Sequence, residues 1–222
     1  MKNSFKTILF FFSAISIAQD VGFSNILDEV YPDKNNLKFY KNYSIDSPKN
    51  TIYNINLVVK CELNSVIKVD YKSDSFNEII FSEVLDVPVE QNTGLDSRTE
   101  RFKGDINPYV IRRAPFRIFE IIKPIKSRRL ISKSNFSLIN VKIPIAKNLN
   151  LNKHQIDFTI YINDQKFSLK LKINIHDIII PELEKSNFFY TNWFNLSKME
   201  EYHELERWSK DWYIMLDKYA KM

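Results

Sequence analysis

Hydrophobic and polar residues alternate with a period of two over most of the chain between about Leu37 and Asp177. In the clearest case, apolar residues stand at every second position from Ile156 to Ile162, and the polar pair Asn163-Asp164 follows. The same alternation resumes from Phe167 to Ile175. This pattern on both sides of a short polar turn predicts a β-hairpin with one buried and one solvated face. Such one-sided strands favour antiparallel sheets, so the fold class we expect is mainly β, an antiparallel β-sandwich.

The only cysteine lies within one of these alternating stretches. Apolar residues occupy alternate positions from Ile55 to Cys61, so Cys61 falls on the apolar face. A single cysteine cannot form an internal disulfide bond. We therefore expect a buried, unreactive thiol.

Near Pro181 the pattern changes from strand-like to mixed. Residues 181–187 are polar and proline-led, as linkers often are, and residues 188–194 form an aromatic strand candidate. Ser197 and Glu200 have the spacing of a capping box, in which the serine caps a helix and the glutamate bonds back. A second helix is predicted from Trp208-Ser209 onward, with an apolar stripe formed by Trp212, Met215, Leu216 and Tyr219.

The N-terminus has the pattern of an export signal. Lys2 and Lys6 precede an apolar run from Ile8 to Ile17, and Ser16 and Ala18 supply the small residues of a cleavage site. The expected location is therefore secreted or periplasmic, with residues 1–18 removed. A retained anchor or a buried strand is the alternative. The later apolar runs contain charges, so we expect no transmembrane span after signal removal.

Charge and composition exclude several function classes. A net charge of +5 is too small to indicate a nucleic-acid partner by itself. Only three glycines occur, so there is no glycine-rich loop for a nucleotide phosphate, and no cofactor is expected. His154, His176 and His203 lack the spacing of a metal site, and no nucleophile elbow is present.

A basic stretch extends from Arg112 to Lys133 and contains one acidic residue, Glu120. Guanidinium groups bind anions through paired hydrogen bonds, so Arg112, Arg113 and Arg117 are candidates for binding an anionic glycan. The alternative is structural. These arginines would then lie on a solvated strand face or pair with acids at a domain interface.

Two segments resemble a known family. Residues 91–94, Gln-Asn-Thr-Gly, and residues 107–117, which contain Arg-Arg-Ala-Pro-Phe, are similar to the N-terminal domain of family 123 of the glycoside hydrolases. Residues 188–194 look like the first strand of that family's barrel, and the helix after Trp208-Ser209 looks like its first helix. The resemblance covers roughly Val30 to Met222.

The resemblance implies a β-sandwich beside a (β/α)8 barrel that hydrolyses β-linked N-acetylhexosamine, with the substrate's acetamido group as nucleophile. The family's acid and stabilising carboxylate lie on later barrel strands, so no catalytic residue is carried over to this chain. The implied domains are the signal peptide, a sandwich over 19–180, a linker over 181–187, and the start of a truncated barrel over 188–222.

Trp193 and Phe194 are the best candidates for contact with a ligand. They stand at the C-terminal end of the first predicted barrel strand, where barrel active sites lie. An aromatic face there could stack on a sugar ring. Alternatively, both side chains pack the top of the barrel or the domain interface.

Two function hypotheses follow. In the first, the chain is the N-terminal accessory domain of a secreted glycoside hydrolase and is inactive alone, its glycan substrate being bound through the missing barrel. In the second, it is a non-catalytic, secreted β-sandwich module that binds glycan or protein at the cell surface. Sugar, linkage and oligomeric state are not determined by the sequence.

Overall fold

The computed structural model describes residues 18–33, 38–92, 101–102, 105–125, 127–182 and 195–220. The chain divides after Ile180 into two compact units. Twelve strands lie in the described part of the first unit: β1 (Asp20–Ser24), β2 (Asn42–Lys49), β3 (Thr51–Lys60), β4 (Val66–Lys72), β5 (Ile80–Val89), β6 (Arg101–Phe102), β7 (Asp105–Ile106), β8 (Phe116–Pro124), β9 (Arg129–Ile131), β10 (Phe136–Ile145), β11 (Lys153–Ile162) and β12 (Gln165–Ile179).

Ten of these strands form two five-stranded sheets. Sheet A has the order β1-β3-β10-β5-β8, and sheet B has the order β2-β12-β11-β4-β9, while β6 and β7 form a separate pair. The predicted mainly β class is confirmed. One pair, β2 with β12, is parallel, so sheet B is mixed. Alternation along a strand shows which face is buried, but it does not show the direction of the neighbouring strand. The sequence pattern therefore could not distinguish parallel from antiparallel pairing.

The two sheets share one buried apolar cluster. Ile55 and Ile139 of sheet A and Ile156 and Ile173 of sheet B all belong to it. The rings of Phe23 and Phe158 meet edge to face across it, with centroids 5.7 Å apart. This continuous core between the sheets is what defines the sandwich.

The hairpin predicted most clearly is formed by β11 and β12. Ile162 pairs with Gln165 across the turn, and Asn163 has φ of 53°, a left-handed conformation that asparagine tolerates. Oδ1 of Asn163 accepts a hydrogen bond of 2.9 Å from the backbone N–H of Val66. The turn is thereby attached to the neighbouring strand β4.

Cys61 is fully buried at the end of β3. Burial raises the pKa of its thiol, because the charged thiolate is poorly solvated there. The prediction of a buried thiol is confirmed, and its protonated form is unreactive at neutral pH.

The second unit contains two described helices, α1 (Leu196–His203) and α2 (Lys210–Ala220). The predicted capping box is wrong. Asn195 is the N-cap of α1, and its Oδ1 accepts from the backbone N–H of Lys198 at 3.1 Å. Asparagine is among the strongest N-caps, and a start two residues earlier moves Glu200 out of the position from which it could bond back.

In α2 the predicted stripe is the least exposed face. Trp212 is buried, Met215, Leu216 and Tyr219 are half-buried, and Oγ of Ser209 accepts from the backbone N–H of Trp212. The predicted strand over 188–194 and most of the predicted linker lie outside the described residues. Among the residues that are described, no helix is long and apolar enough to cross a membrane.

Candidate functional site on the outer face of sheet A

The face of sheet A that points away from the shared core carries a groove of about 510 Å³. Leu57 and Ile139 of this sheet point into the core, so their neighbours Asn56 and Asn140 point outward. Strands β3, β10, β5 and β8 and the segment Ile26–Val30 line the groove. A volume of this size lies within the usual range for sites that bind small molecules.

A polar row crosses the floor of the groove. Asn140 of β10 is paired in register with Asn56 on β3, and both side chains are buried and line the groove. Ser82, the partner of Asn140 on β5, is also buried but is not part of the groove lining. Nδ2 of Asn140 donates to Oδ1 of Asn56 at 3.2 Å. Oδ1 of Asn140 is buried and has no hydrogen-bond partner in the described part of the chain. Buried polar atoms are usually satisfied, so this acceptor needs an explanation.

An apolar row lies directly beside the polar one. Val58, Leu138 and Val84 are paired in register across three strands and form a small buried cluster with Val30 and Phe136. This second cluster is separate from the main core. It explains why β3 contains five consecutive buried residues, because both faces of the strand are covered at this point.

One wall of the groove is a turn held by its own side chains. Oδ2 of Asp28 accepts from the backbone N–H of Asn25 at 2.8 Å and from Oγ of Ser24 at 3.1 Å. Oδ1 of Asn25 accepts from the backbone N–H of Leu27 at 2.9 Å. Such bonds from Asn and Asp to nearby backbone groups fix turns, so this wall is built from local sequence.

Another part of the groove's lining contains a β-bulge. Leu85 pairs with Ile121 and Asp86 pairs with Phe119, which leaves Glu120 of β8 without a residue opposite it. A bulge changes the direction in which side chains project, and Glu120 is exposed and lines the groove.

Acidic side chains predominate around the groove. Among the residues that the structure describes, Asp28, Glu29 and Glu120 line it, and Lys142 is the one basic residue that does. Oε2 of Glu29 accepts from the hydroxyl of Tyr31 at 3.1 Å. Burial first and this hydrogen bond second raise the pKa of Tyr31.

Arg112, a candidate from the sequence, is engaged by the protein itself. Its guanidinium lies 4.4 Å from the ring centre of Tyr31 and 4.9 Å from that of Phe116, and it forms an ion pair with Asp33. The hydrogen bond from Arg112 lowers the pKa of the Asp33 carboxyl. The backbone carbonyl of Arg112 also accepts from Nδ2 of Asn92 at 3.0 Å. These contacts lie within the first unit and leave the prediction of an anionic glycan partner untested.

The other basic candidates occupy different surroundings. Arg117 forms an ion pair with Asp86 of the adjacent strand β5, and Arg113 is exposed. Arg129 lies on β9 in sheet B, and Lys133 pairs with Glu83 at 3.6 Å. The basic stretch is thus divided between two sheets, and several of its charges are already paired with acids. Trp193 and Phe194, the other candidates, lie outside the described residues.

The three histidines have separate partners. His154 contacts Oγ of Ser75 at 2.7 Å, His176 contacts Oδ1 of Asp46 at 2.8 Å, and His203 contacts the hydroxyl of Tyr219 at 3.0 Å. Within the described ranges, no group of three or more His, Cys, Asp or Glu residues could hold a metal ion.

Sequence reasoning did not find the asparagine pair in the groove. The available signal was weak, namely single asparagines within the apolar runs 55–59 and 137–141. A polar residue in such a run indicates either an outward position or a buried polar site. Only strand pairing shows that Asn56 and Asn140 lie side by side.

Comparison with known proteins shows a likeness of fold to one glycosidase. A family 123 glycoside hydrolase from Clostridium perfringens, described in a study of glycolipid glycan hydrolysis, matches with a TM-score of 0.66 and 11% sequence identity. The match covers 86% of this chain and 33% of that enzyme. The chain therefore spans about a third of the enzyme's length. At this identity the likeness establishes the fold alone.

Weaker matches add nothing to this result. The PapD-like domain 7 of human CEP192 covers 82% of the chain at 10% identity with a TM-score of 0.29. The CooA pilin subunit from enterotoxigenic Escherichia coli covers 72% at 11% identity with a TM-score of 0.31. Both scores are too low to support an argument. No family model matches the sequence, and no curated protein matches it significantly.

Proposed function

We propose that this chain is the N-terminal accessory region of an exported glycoside hydrolase acting on β-linked N-acetylhexosamine glycans. The observation that carries the proposal is the similarity of fold to a family 123 enzyme over 86% of the chain. The residues quoted above for the same family, 91–94 and 107–117, support it from the sequence.

In this proposal the chemistry belongs to a catalytic barrel of the family's kind and not to the residues of this chain. Glycoside hydrolysis needs an acid and a second stabilising or nucleophilic group across the scissile bond. The resemblance implies that the acid and its companion carboxylate lie on later barrel strands. The chain then serves to support the barrel and to present glycan, and it is inactive alone.

The test compares two gene products. Genomic DNA is read past the codon of Met222, and both the longer product and the 222-residue chain are purified. We expect the longer product to release chromophore from a chromogenic β-N-acetylhexosaminide and the short chain to release none. Hydrolysis by the short chain, or a barrel-coding product inactive on every N-acetylhexosaminide, would contradict the proposal.

Export is tested independently. Because Lys2, Lys6 and the apolar run from Ile8 match signal-peptidase requirements, we expect the mature protein to begin near Gln19. Mass spectrometry of periplasmic or secreted material measures this. Retention of Met1 in that material would contradict export by cleavage.

A second candidate function is a non-catalytic sandwich that binds glycan or protein at the cell surface. The groove on sheet A favours it, because the whole groove is built from the sandwich and needs no barrel. A natural stop codon directly after Met222, together with glycan binding by the chain, would select this candidate.

A further inference from the structure

We propose that the groove on the outer face of sheet A binds an N-acetylated, uncharged sugar, and that Asn140 recognises its acetamido group. The choice of an N-acetylhexosamine rests on the proposed function. The location and the chemistry of recognition come from the groove itself.

The first argument is the unsatisfied acceptor. Oδ1 of Asn140 is buried and lacks a donor among the described groups, while Nδ2 of the same amide is held by Asn56. A buried acceptor that makes no hydrogen bond leaves its loss of hydration uncompensated. The outer torsion of asparagine is soft, so rotation of the amide would turn Oδ1 toward a donor in the groove. The N–H of an acetamido group is such a donor.

The second argument is the position of the apolar row. Leu138 stands two residues before Asn140 on β10, on the same face, and Val84 is its partner on β5. An acetamido group carries a methyl next to its N–H. In the groove an acceptor lies beside an apolar surface. This arrangement matches the N–H and the methyl of the acetamido group.

The third argument is charge. In the described part of the chain, the carboxylates of Asp28, Glu29 and Glu120 line the groove, and Lys142 is the one basic side chain there. Carboxylates accept hydrogen bonds from sugar hydroxyls but repel sulfate and uronate groups. An uncharged glycan therefore fits better than an anionic one. Glu120 projects from a bulge at the rim, where it can reach a hydroxyl.

The experiment measures binding of three probes to the full 222-residue chain by titration calorimetry. The probes are a β-linked trisaccharide of N-acetylglucosamine, cellotriose and a heparin trisaccharide. Cellotriose has a hydroxyl where the first probe has the acetamido group. We expect the N-acetylated probe to bind at least tenfold more tightly than cellotriose, and the anionic probe to bind most weakly.

Two variants and a control locate the site. Asn140→Ala should weaken binding of the N-acetylated probe about tenfold, the expected loss for one hydrogen bond of about 1.4 kcal/mol. Glu120→Ala changes an exposed residue, so we expect this variant to fold normally. It should weaken the binding of all neutral probes about threefold. Asn152→Ala, an exposed asparagine outside the groove, should leave affinity unchanged.

Several outcomes overturn the inference. They are no binding of the N-acetylated probe, binding that neither groove variant changes, equal affinity for cellotriose, or a preference for the heparin probe. Self-association of the chain that Glu120→Ala abolishes would assign the groove to a second copy instead.

If the longer gene product hydrolyses N-acetylhexosaminides while the chain binds none, this inference fails and the proposed function stands. If the chain binds the N-acetylated probe while the longer product hydrolyses nothing, the groove site stands and the proposed function fails.

Discussion

At the scale of single residues, Gly22 is required by the close approach of a ring. It lies on β1, opposite Val58 of β3, and the ring of Phe39 covers it. A Cβ added at Gly22 would lie 3.0 Å from Cβ and Cγ of Phe39 and closer still to its Cδ2. Ordinary contacts between carbon atoms are about 3.5–4.0 Å, so either the ring or the strand must move.

Gly22→Ala should therefore lower the free energy of unfolding by about 1–3 kcal/mol, the usual cost of overpacking. Chemical denaturation measures the change. The matched control is the same substitution in a Phe39→Ala background, where the steric conflict is absent and the additional loss should nearly vanish. Equal losses in the two backgrounds would show that the ring is not the cause.

Arg112 stabilises its loop through its planar shape as well as its charge. It lies between the rings of Tyr31 and Phe116 and pairs with Asp33, and only 26% of its side chain is exposed. Lysine keeps the charge but cannot stack as a plane. Arg112→Lys should cost about 1 kcal/mol of stability, measured by denaturation. The exposed neighbour gives the control, since Arg113→Lys should cost nothing measurable. Equal effects of the two substitutions would refute this role.

At the scale of elements, one carboxylate connects the two helices of the second unit. Glu200 on α1 accepts from Nε and Nη2 of Arg207 at 2.6 and 2.8 Å, and from Nε1 of Trp212 on α2 at 2.8 Å. These bonds hold Trp212 against α1. The hydrogen bonds from Arg207 and then from Trp212 lower the pKa of Glu200 below its ordinary value of 4.5.

The lowered pKa of Glu200 fixes the direction of a pH effect. A carboxyl whose pKa is depressed by folding stabilises the fold above its ordinary value, and this contribution disappears as the pH falls through the lower folded-state pKa. We expect the protection factors of α2, which are exchange rates relative to the intrinsic rate at each pH, to fall below about pH 4.5, and Glu200→Gln to show low protection already at pH 7. The exposed neighbour Glu201→Gln should behave like the wild type. Unchanged exchange in Glu200→Gln would contradict this role.

At the scale of the whole molecule, the two units that are divided after Ile180 differ in how much of a buried core stabilises each of them. The sandwich has a continuous core between two sheets, and its last strand is held by Ile180, whose N–H donates to the carbonyl of Lys49 at 3.0 Å. The two helices bury few large side chains among the described residues, chiefly Met199 and Trp212. Short helices with little buried surface are marginal by themselves.

Removal of residues 185–222 should therefore leave a folded sandwich. We expect its cooperative thermal transition to stay within a few degrees of that of the full chain, with solubility equal or higher. Differential scanning calorimetry measures this, and a cut within β12 after Leu171 is the control that should abolish the transition. Loss of cooperativity on removal of 185–222 would show that the sandwich depends on the tail.

The sequence alone determined the class of the fold and several of its elements. Alternation from Ile156 to Ile175 determined the β11–β12 hairpin, because a period of two can bury only one face of a strand. The same rule put Cys61 in the core. Helical spacing determined the stripe on α2 that contains Trp212.

The tertiary structure decided what depends on partners distant in the sequence. The parallel pairing of β2 with β12, the cap at Asn195 and the engagement of Arg112 by two rings all depend on neighbours that periodicity does not identify. The groove is the main example. Asn56 and Asn140 are 84 residues apart and become adjacent only when β3 pairs with β10. Local patterns encode which face of a strand is buried, whereas a site requires the register between strands, which is set by packing of the whole sandwich.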